Sequence, residues 1–217
     1  PVFRAGLNFQ AAEASWFRAS VGQGFRFPTI AEKFIRTGLG PLQVYPNNEL
    51  RPETAINIEA GFKQGLRVGG FQGFLDVAGF YQEYDNFIEF TFGQWGNPLT
   101  DPLAGNGFRS LNTGSSRVTG WEASLMGRAT WGETTLDILA GYTYTNPVSL
   151  TPDYLYSVIT NAAGDTIGGA SYNNTSLDTT GQVLKYRSQD LVRFDAEIRR
   201  GPWFIGASAR YQSALQN

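Results

Sequence analysis

Residues 190–212 read DLVRFDAEIRRGPWFIGASARYQ, and their parity decides the fold. Val192, Phe194, Ala196 and Ile198 alternate with Arg193, Asp195, Glu197 and Arg199. After a short link (Arg200 to Pro202), Ile205, Ala207, Ala209 and Tyr211 alternate with Gly206, Ser208, Arg210 and Gln212. Side chains two apart in a strand share a face. Each segment therefore has one apolar face and one polar or charged face. Two such strands on a link this short form an antiparallel hairpin.

The same pattern runs back through the chain. A first strand sets Phe3, Ala5, Leu7 and Phe9 against Arg4, Gly6, Asn8 and Gln10. A second sets Phe17, Ala19 and Val21 against Arg18, Ser20 and Gly22. A third sets Ile56, Ile58, Ala60 and Phe62 against Asn57, Glu59, Gly61 and Lys63. The fourth, around Leu75 to Tyr84, is blurred, because Phe74 and Phe80 fall on the polar side with Asp76. A fifth opposes Ala123, Leu125 and Gly127 to Glu122, Ser124 and Arg128. A sixth opposes Leu136, Ile138, Ala140, Tyr142 and Tyr144 to Asp137, Gly141, Thr143 and Thr145. About eight strands result, each near the 9–11 residues that cross a bilayer at a tilt.

A soluble β-sandwich alternates too. The connections argue against it. They run short (Ala11 to Ala14), long (Phe25 to Pro52), short (Gly65 to Gly70), long (Phe92 to Ser116), short (Thr130 to Thr134), long (Asn146 to Lys185) and short again. Short periplasmic turns on one side and long extracellular loops on the other belong to a membrane barrel. The expected fold is thus all-β: an antiparallel up-and-down transmembrane β-barrel, present as a partial wall of about eight strands. Residues 1–217 read as one partial barrel domain with no plug domain visible. Every connection is expected to be an antiparallel hairpin, without a crossover helix. If Trp131-Gly132-Glu133-Thr134 is a tight turn, opposed residues sum to 265, and Arg128 faces Asp137 in an ion pair.

The aromatics fit two membrane levels. Trp16, Trp131 and Trp203 lie beside short turns, while Tyr84, Trp121, Tyr144 and Tyr186 lie towards long-loop ends. Interfaces select rings that bury an apolar body and keep a polar edge wet. Trp16, Trp131, Trp203 and Tyr144 are accordingly expected at the membrane interfaces. The polar faces are expected to line the lumen through Arg18, Asn57, Glu59, Glu122, Arg128, Asp137, Arg193, Asp195, Glu197 and Arg210.

Composition removes other classes. The chain has no Cys and no His, which excludes disulfides, thiolate metal sites and histidine base catalysis. Net charge is -2 with no basic run, so no nucleic-acid surface is expected. No apolar stretch approaches the roughly 20 residues of a transmembrane helix. Carboxylates spread along the polar face read as salt-bridged lining and not as an acid–base pair. Neither enzyme activity nor a cofactor is expected.

Several stretches together resemble the TonB-dependent receptors. Gly22-Gln23-Gly24-Phe25-Arg26-Phe27-Pro28-Thr29-Ile30-Ala31-Glu32 is similar to the family's "GFRxPT" segment, which leaves a strand and begins a short extracellular helix. Asn48-Glu49-Leu50-Arg51-Pro52-Glu53, then Asn57-Ile58-Glu59-Ala60-Gly61, resembles its "NxxLxPE…NxExG" stretch. Phe80-Tyr81 with Tyr84-Asp85-Asn86-Phe87-Ile88, Gly120-Trp121-Glu122, and Leu184-Lys185-Tyr186-Arg187-Ser188 echo further motifs in order. The resemblance implies a wall segment of a 22-stranded, plugged barrel in the outer membrane of a Gram-negative bacterium. It implies TonB-energised import of a scarce, bulky ligand such as a metal chelate, cobalamin or glycan. Outer-membrane lipid, the small-molecule or chelate ligand, and TonB acting through a plug domain absent from this chain would be the partners.

Pro28 can end strand pairing, and Thr29 can N-cap a helix over Ile30 to Ile35. Arg26 is the ligand-binding candidate, because its five donors suit anionic chelates. The loop from Asn146 to Lys185 is long enough to be functional. Three alternatives stay open on the sequence: a passive channel, a small complete eight-stranded barrel, and a soluble β-scaffold with an adhesive role.

Overall fold

The computed structural model describes residues 2–40, 42–95, 105–160 and 165–216. In chain order its strands are β1 (Arg4–Ala12), β2 (Ser15–Arg26), β3 (Thr37–Leu39), β4 (Leu42–Tyr45), β5 (Glu53–Val68) and β6 (Phe71–Asp85). There follow β7 (Ile88–Trp95), β8 (Gly105–Asn112), β9 (Ser116–Trp131) and β10 (Thr134–Ser149). The last are β11 (Ser157–Thr160), β12 (Thr166–Ala170), β13 (Asp190–Arg200) and β14 (Trp203–Gln212). Two short helices, α1 (Ile30–Phe34) and α2 (Tyr172–Thr175), lie in the loops.

Eight strands form one wall in the order β1-β2-β5-β6-β9-β10-β13-β14, every neighbouring pair antiparallel. This is the partial antiparallel barrel that the parity required. The turn at Gly132 sets the register as expected. Arg128 pairs with Asp137 and Met126 with Leu139, and the Arg128 guanidinium donates to both Asp137 oxygens at 2.6 and 2.9 Å. Gly69, Gly132 and Gly201 take φ of 57°, 58° and 56° at three of the tight turns, a conformation that a Cβ disfavours.

The structure departs from expectation in strand length, in one loop pairing and in the placement of three aromatics. β5, β9 and β10 each run for 16 residues and β6 for 15, beyond the length a bilayer needs, and their extra turns of ladder carry the loops. Among the described residues one pair is parallel, β4 with β8. It lies in a separate four-stranded sheet, β3-β4-β8-β7, where two long loops lie side by side. A hairpin cannot dictate direction between segments of different loops, so the expectation of antiparallel pairing throughout fails there. Trp16 pairs with Gln10 and Lys63 and shares the charged face with Arg18; its place beside a turn gives an interface height, but parity turns the ring away from the apolar face. Tyr84 likewise falls on the charged face, where its hydroxyl donates to Gln82, and Tyr186 sits in a loop at φ 55°.

The blurred fourth strand has a local cause. Phe74 and Phe80 do occupy the charged face of β6, opposite Gly65 and Glu59. Lys63 stands 3.8 Å from the Phe74 ring centroid, a cation–π contact. The Phe80 ring lies where a Cβ on Gly120 would stand, 2.6 Å away.

Among the described residues nothing covers the apolar face. Leu7 is 67% exposed and Ile205 71%, and the buried large apolar side chains sit mainly in the loops: Tyr45, Leu50, Ile88, Trp95 and Leu111. A contiguous exposed apolar sheet face of this extent requires lipid or another surface against it. Its dimensions fit lipid. By the pairing register, the charged residues on this face are Glu83, Asp85, Arg117 and Asp190 at loop ends and Arg200 at a turn end. On β13, Asp190 and Arg200 are ten residues apart. That is about 34 Å along a strand, or about 24–28 Å of height at a tilt of 35–45°, against an apolar band about 25 Å tall in outer-membrane barrels.

Candidate functional site

The loops form a cap over one end of the wall, and an ion cluster joins the two. Arg26, at the end of β2, donates from Nε to Glu53 Oε2 at 2.5 Å and from Nη1 to Glu32 at 3.0 Å. Glu53 is buried and also accepts the Ile88 backbone N–H at 2.6 Å. Glu32 is the third residue of α1 and completes a capping box with Thr29. The helix ends at Phe34, with Ile35 as its C-cap. Burial alone would raise the Glu32 carboxyl, but the Thr29 N–H and the Arg26 guanidinium hold it below the ordinary glutamate value. The "GFRFPT" and "LRPE" segments thus meet at one junction. The Nε and Nη1 donors of Arg26, the sequence-level ligand candidate, are engaged by carboxylates of the chain itself.

The three long loops also line a half-open polar cavity of about 340 Å³. The first loop contributes Asn47, Glu49 and Arg51; the second Trp95, Arg109 and Asn112; the third Tyr154 and Tyr156. Arg109, on β8, reaches back to the first loop. Its Nε donates to the Pro46 carbonyl at 3.1 Å and its Nη2 to Asn47 Oδ1 at 3.3 Å, and its guanidinium lies 5.7 Å from the Trp95 ring. Asn47 is buried and donates to the Ser110 carbonyl at 2.9 Å. Asn112 accepts from the Arg51 N–H and donates to the Arg51 and Asn86 carbonyls. Tyr45, Trp95 and Leu111 form the small apolar core beneath, with Tyr156 packed on it. Burial pulls the Arg109 pKa down, opposed by the charge of Glu49. The cavity therefore holds a half-buried cation whose hydrogen-bond partners are neutral oxygens.

A second cluster ties the second loop to the third. Arg187 Nη2 stands 4.0 Å from Glu89 Oε1. Burial raises the Glu89 carboxyl, against the charges of Arg187 and Lys185. Lys185, its own pKa lowered by burial, donates to Thr175 Oγ1 at 2.5 Å, and that oxygen lies 2.8 Å from the Tyr156 hydroxyl.

The expected lining residues share the charged face of the wall. Arg18 bridges Glu59 at 3.1 Å and Asp76 at 2.5 Å, over Gly61, where a Cβ would stand 2.8 Å from the guanidinium carbon. Arg193 meets Asp195 at 2.7 Å and Arg199 meets Glu197 at 2.9 Å; Ser208 donates to Asp195 at 2.6 Å. Asn57 pairs with Gly22, Glu122 with Thr143, and Arg210 with Arg193. A hollow of about 760 Å³ spans this face between β6 and β14, with Arg128, Asp137, Asp195 and Glu197 around Phe74, Met126 and Leu139. Trp131, Trp203 and Tyr144 lie on the opposite, apolar face. Among the described residues no group of three or more His, Cys, Asp or Glu is placed to hold a metal ion, and no helix is long and apolar enough to cross a membrane.

Residues 2–217 match the TonB dependent receptor-like β-barrel family. The chain belongs to that family. Among solved structures, the siderophore receptor PirA of Acinetobacter baumannii is similar at a TM-score of 0.53 and 13% identity, over 99% of this chain and 30% of its own. A double mutant of the Serratia marcescens hemophore receptor HasR, in complex with its hemophore HasA and heme, is similar at a TM-score of 0.58 and 18% identity, over 98% of this chain and 32% of its own. The chain thus spans about a third of the length of these receptors. Comparison with curated protein sequences finds no match.

Sequence reasoning missed Arg109, Trp95 and Asn47. Arg109 and Asn47 are 62 residues apart and meet only because β4 and β8 pair across loops. No local periodicity encodes such a contact.

Proposed function

We propose that this chain supplies part of the wall and part of the extracellular cap of an outer-membrane receptor that imports a scarce, bulky ligand in a TonB-energised way. The cavity shared by the three loops carries the reading. A half-buried guanidinium with neutral partners, beside Trp95 and the two tyrosines, suits an anionic or oxygen-rich ligand with a ring or chelate body. A metal chelate fits this chemistry best, ahead of cobalamin or a glycan, and the two structural neighbours are receptors for a siderophore and for a heme-carrying hemophore. The charged face lines the lumen, where its paired ions stay hydrated. The apolar face meets lipid, with Trp131, Trp203 and Tyr144 at its rims. TonB acts through a plug domain outside these 217 residues.

The test is ligand binding to the full-length receptor on intact cells, with a panel of ferric chelates, cobalamin and oligosaccharides. Arg109→Gln should weaken binding of the recognised ligand about ten- to a hundred-fold, the loss of one charge-assisted contact of about 1.5–3 kcal/mol. Unchanged binding of every panel member would remove the cavity from the account.

A further inference from the structure

The turn-side rim of the apolar face holds an arrangement that ligand import does not use. Trp131 pairs with Thr134, Thr134 with Arg200, and Arg200 with Trp203. Opposed residues point the same way, so these four side chains form one row across β9, β10, β13 and β14. The row spans about 14 Å at the usual strand spacing. Trp131 and Trp203 are largely exposed, and Arg200 is exposed between them.

Arg200 differs from the other wall cations by its face, since Arg4, Arg67 and Arg210, for which no ion pair forms among the described residues, lie on the charged face. Arg18, Arg128, Arg193 and Arg199 all bridge carboxylates on the charged face. Arg117, the other arginine on the apolar face, stands opposite Glu83 at the loop end. Among the described residues, no ion pair reaches Arg200, including from Glu133 in the neighbouring turn, and neither indole N–H of the row is bonded. The row also sits at a fixed depth. Arg200 closes the charge-free belt of about 24–28 Å derived above, on the side of the short turns, which is periplasmic. An unpaired cation at the edge of the hydrocarbon band meets headgroup phosphates, and a guanidinium can take two phosphate oxygens at once. Indole N–H groups beside it can donate to ester oxygens.

We propose that Trp131, Thr134, Arg200 and Trp203 form a binding site for an anionic phospholipid of the periplasmic leaflet, held by its phosphodiester. The site carries one positive charge and no paired carboxylate, so it selects an anionic headgroup over a zwitterionic one.

Native mass spectrometry of the full-length receptor tests this, titrating phosphatidylglycerol against phosphatidylcholine. Arg200→Gln should cut retained phosphatidylglycerol about five-fold, the effect of one cation at a lipid surface, and should leave phosphatidylcholine unchanged. Arg200→Lys should keep most of it, and Arg210→Gln on the charged face should change nothing. If Arg200→Gln fails the heat-modifiability check for a folded barrel, Trp203→Leu carries the test, with retention expected to fall by about half. Inorganic phosphate should not displace the lipid. Equal phosphatidylglycerol retention by wild type and the folded Arg200 or Trp203 variants overturns the proposal, as does displacement by phosphate. Ligand uptake is read separately, so failure here leaves the receptor reading intact.

Discussion

Replacing Phe194 by Arg should be among the most damaging single changes in the wall, and the register says by how much. Phe194 lies four residues from Asp190 and six from Arg200 on β13. At about 3.4 Å per residue and a 35–45° tilt, it sits about 10–11 Å below the loop-side rim and about 14–17 Å above the turn-side rim. That is within a few ångströms of the midplane. Its row neighbours are Ala140 and Ala209, so a new guanidinium finds no acid on its own face. An arginine at the midplane costs about 2–4 kcal/mol, which is roughly 30- to 900-fold in the folding equilibrium. Ile198 is two residues from Arg200, about 5 Å from the rim, and Ile198→Arg should cost only about 0–1 kcal/mol. Ser124→Arg, on the charged face opposite Asp76, should be mild as well. Reversible urea unfolding of the full-length receptor in lipid vesicles reads all three. Equal losses at 194, 198 and 124 would refute both the assigned faces and the depth scale.

Other outcomes follow from the cap. Glu53→Ala removes the acceptor for Arg26 and for the Ile88 N–H; it should loosen the first two loops by about 1–3 kcal/mol and speed their proteolysis on intact cells, while the wall stays folded. The folded Glu32 carboxyl titrates below its unfolded value, so its contribution to the α1 cap is complete above the ordinary glutamate range and is lost as pH falls through the lowered folded value. Glu89 has the opposite sign: its folded carboxyl is raised, so the contact between the second and third loops should gain stability as pH falls through that raised value. Hydrogen exchange at Thr29–Phe34 and at Ile88–Trp95, corrected for intrinsic rates, should move in opposite directions on acidification.

The wall was legible in the sequence because a sheet with one apolar and one polar face carries a strict two-residue period, and because tight turns fix the register on both flanks. Arg128 opposite Asp137 needed only the position of Gly132. Trp16 shows the limit: nearness to a turn gives height, and only parity gives the face. The helix cap at Thr29 was readable because capping is local. Its continuation through Arg26 to Glu53 was not, since the two motifs are separated by the whole first loop. The cavity between the loops was least legible, because Asn47, Arg109 and Tyr156 come from three loops that fold against each other without a repeating pattern. The long third loop, singled out by its length alone, supplies Tyr154 and Tyr156 to the cavity.

The most direct measurement of the account is energised uptake by cells carrying the full-length receptor, with the chelate, cobalamin and oligosaccharide panel supplied at low concentration. One panel member should accumulate inside. A protonophore should abolish that accumulation while leaving surface binding in place, and Arg109→Gln should reduce both. Accumulation that persists without the proton-motive force would contradict the account and mark the barrel as a passive channel.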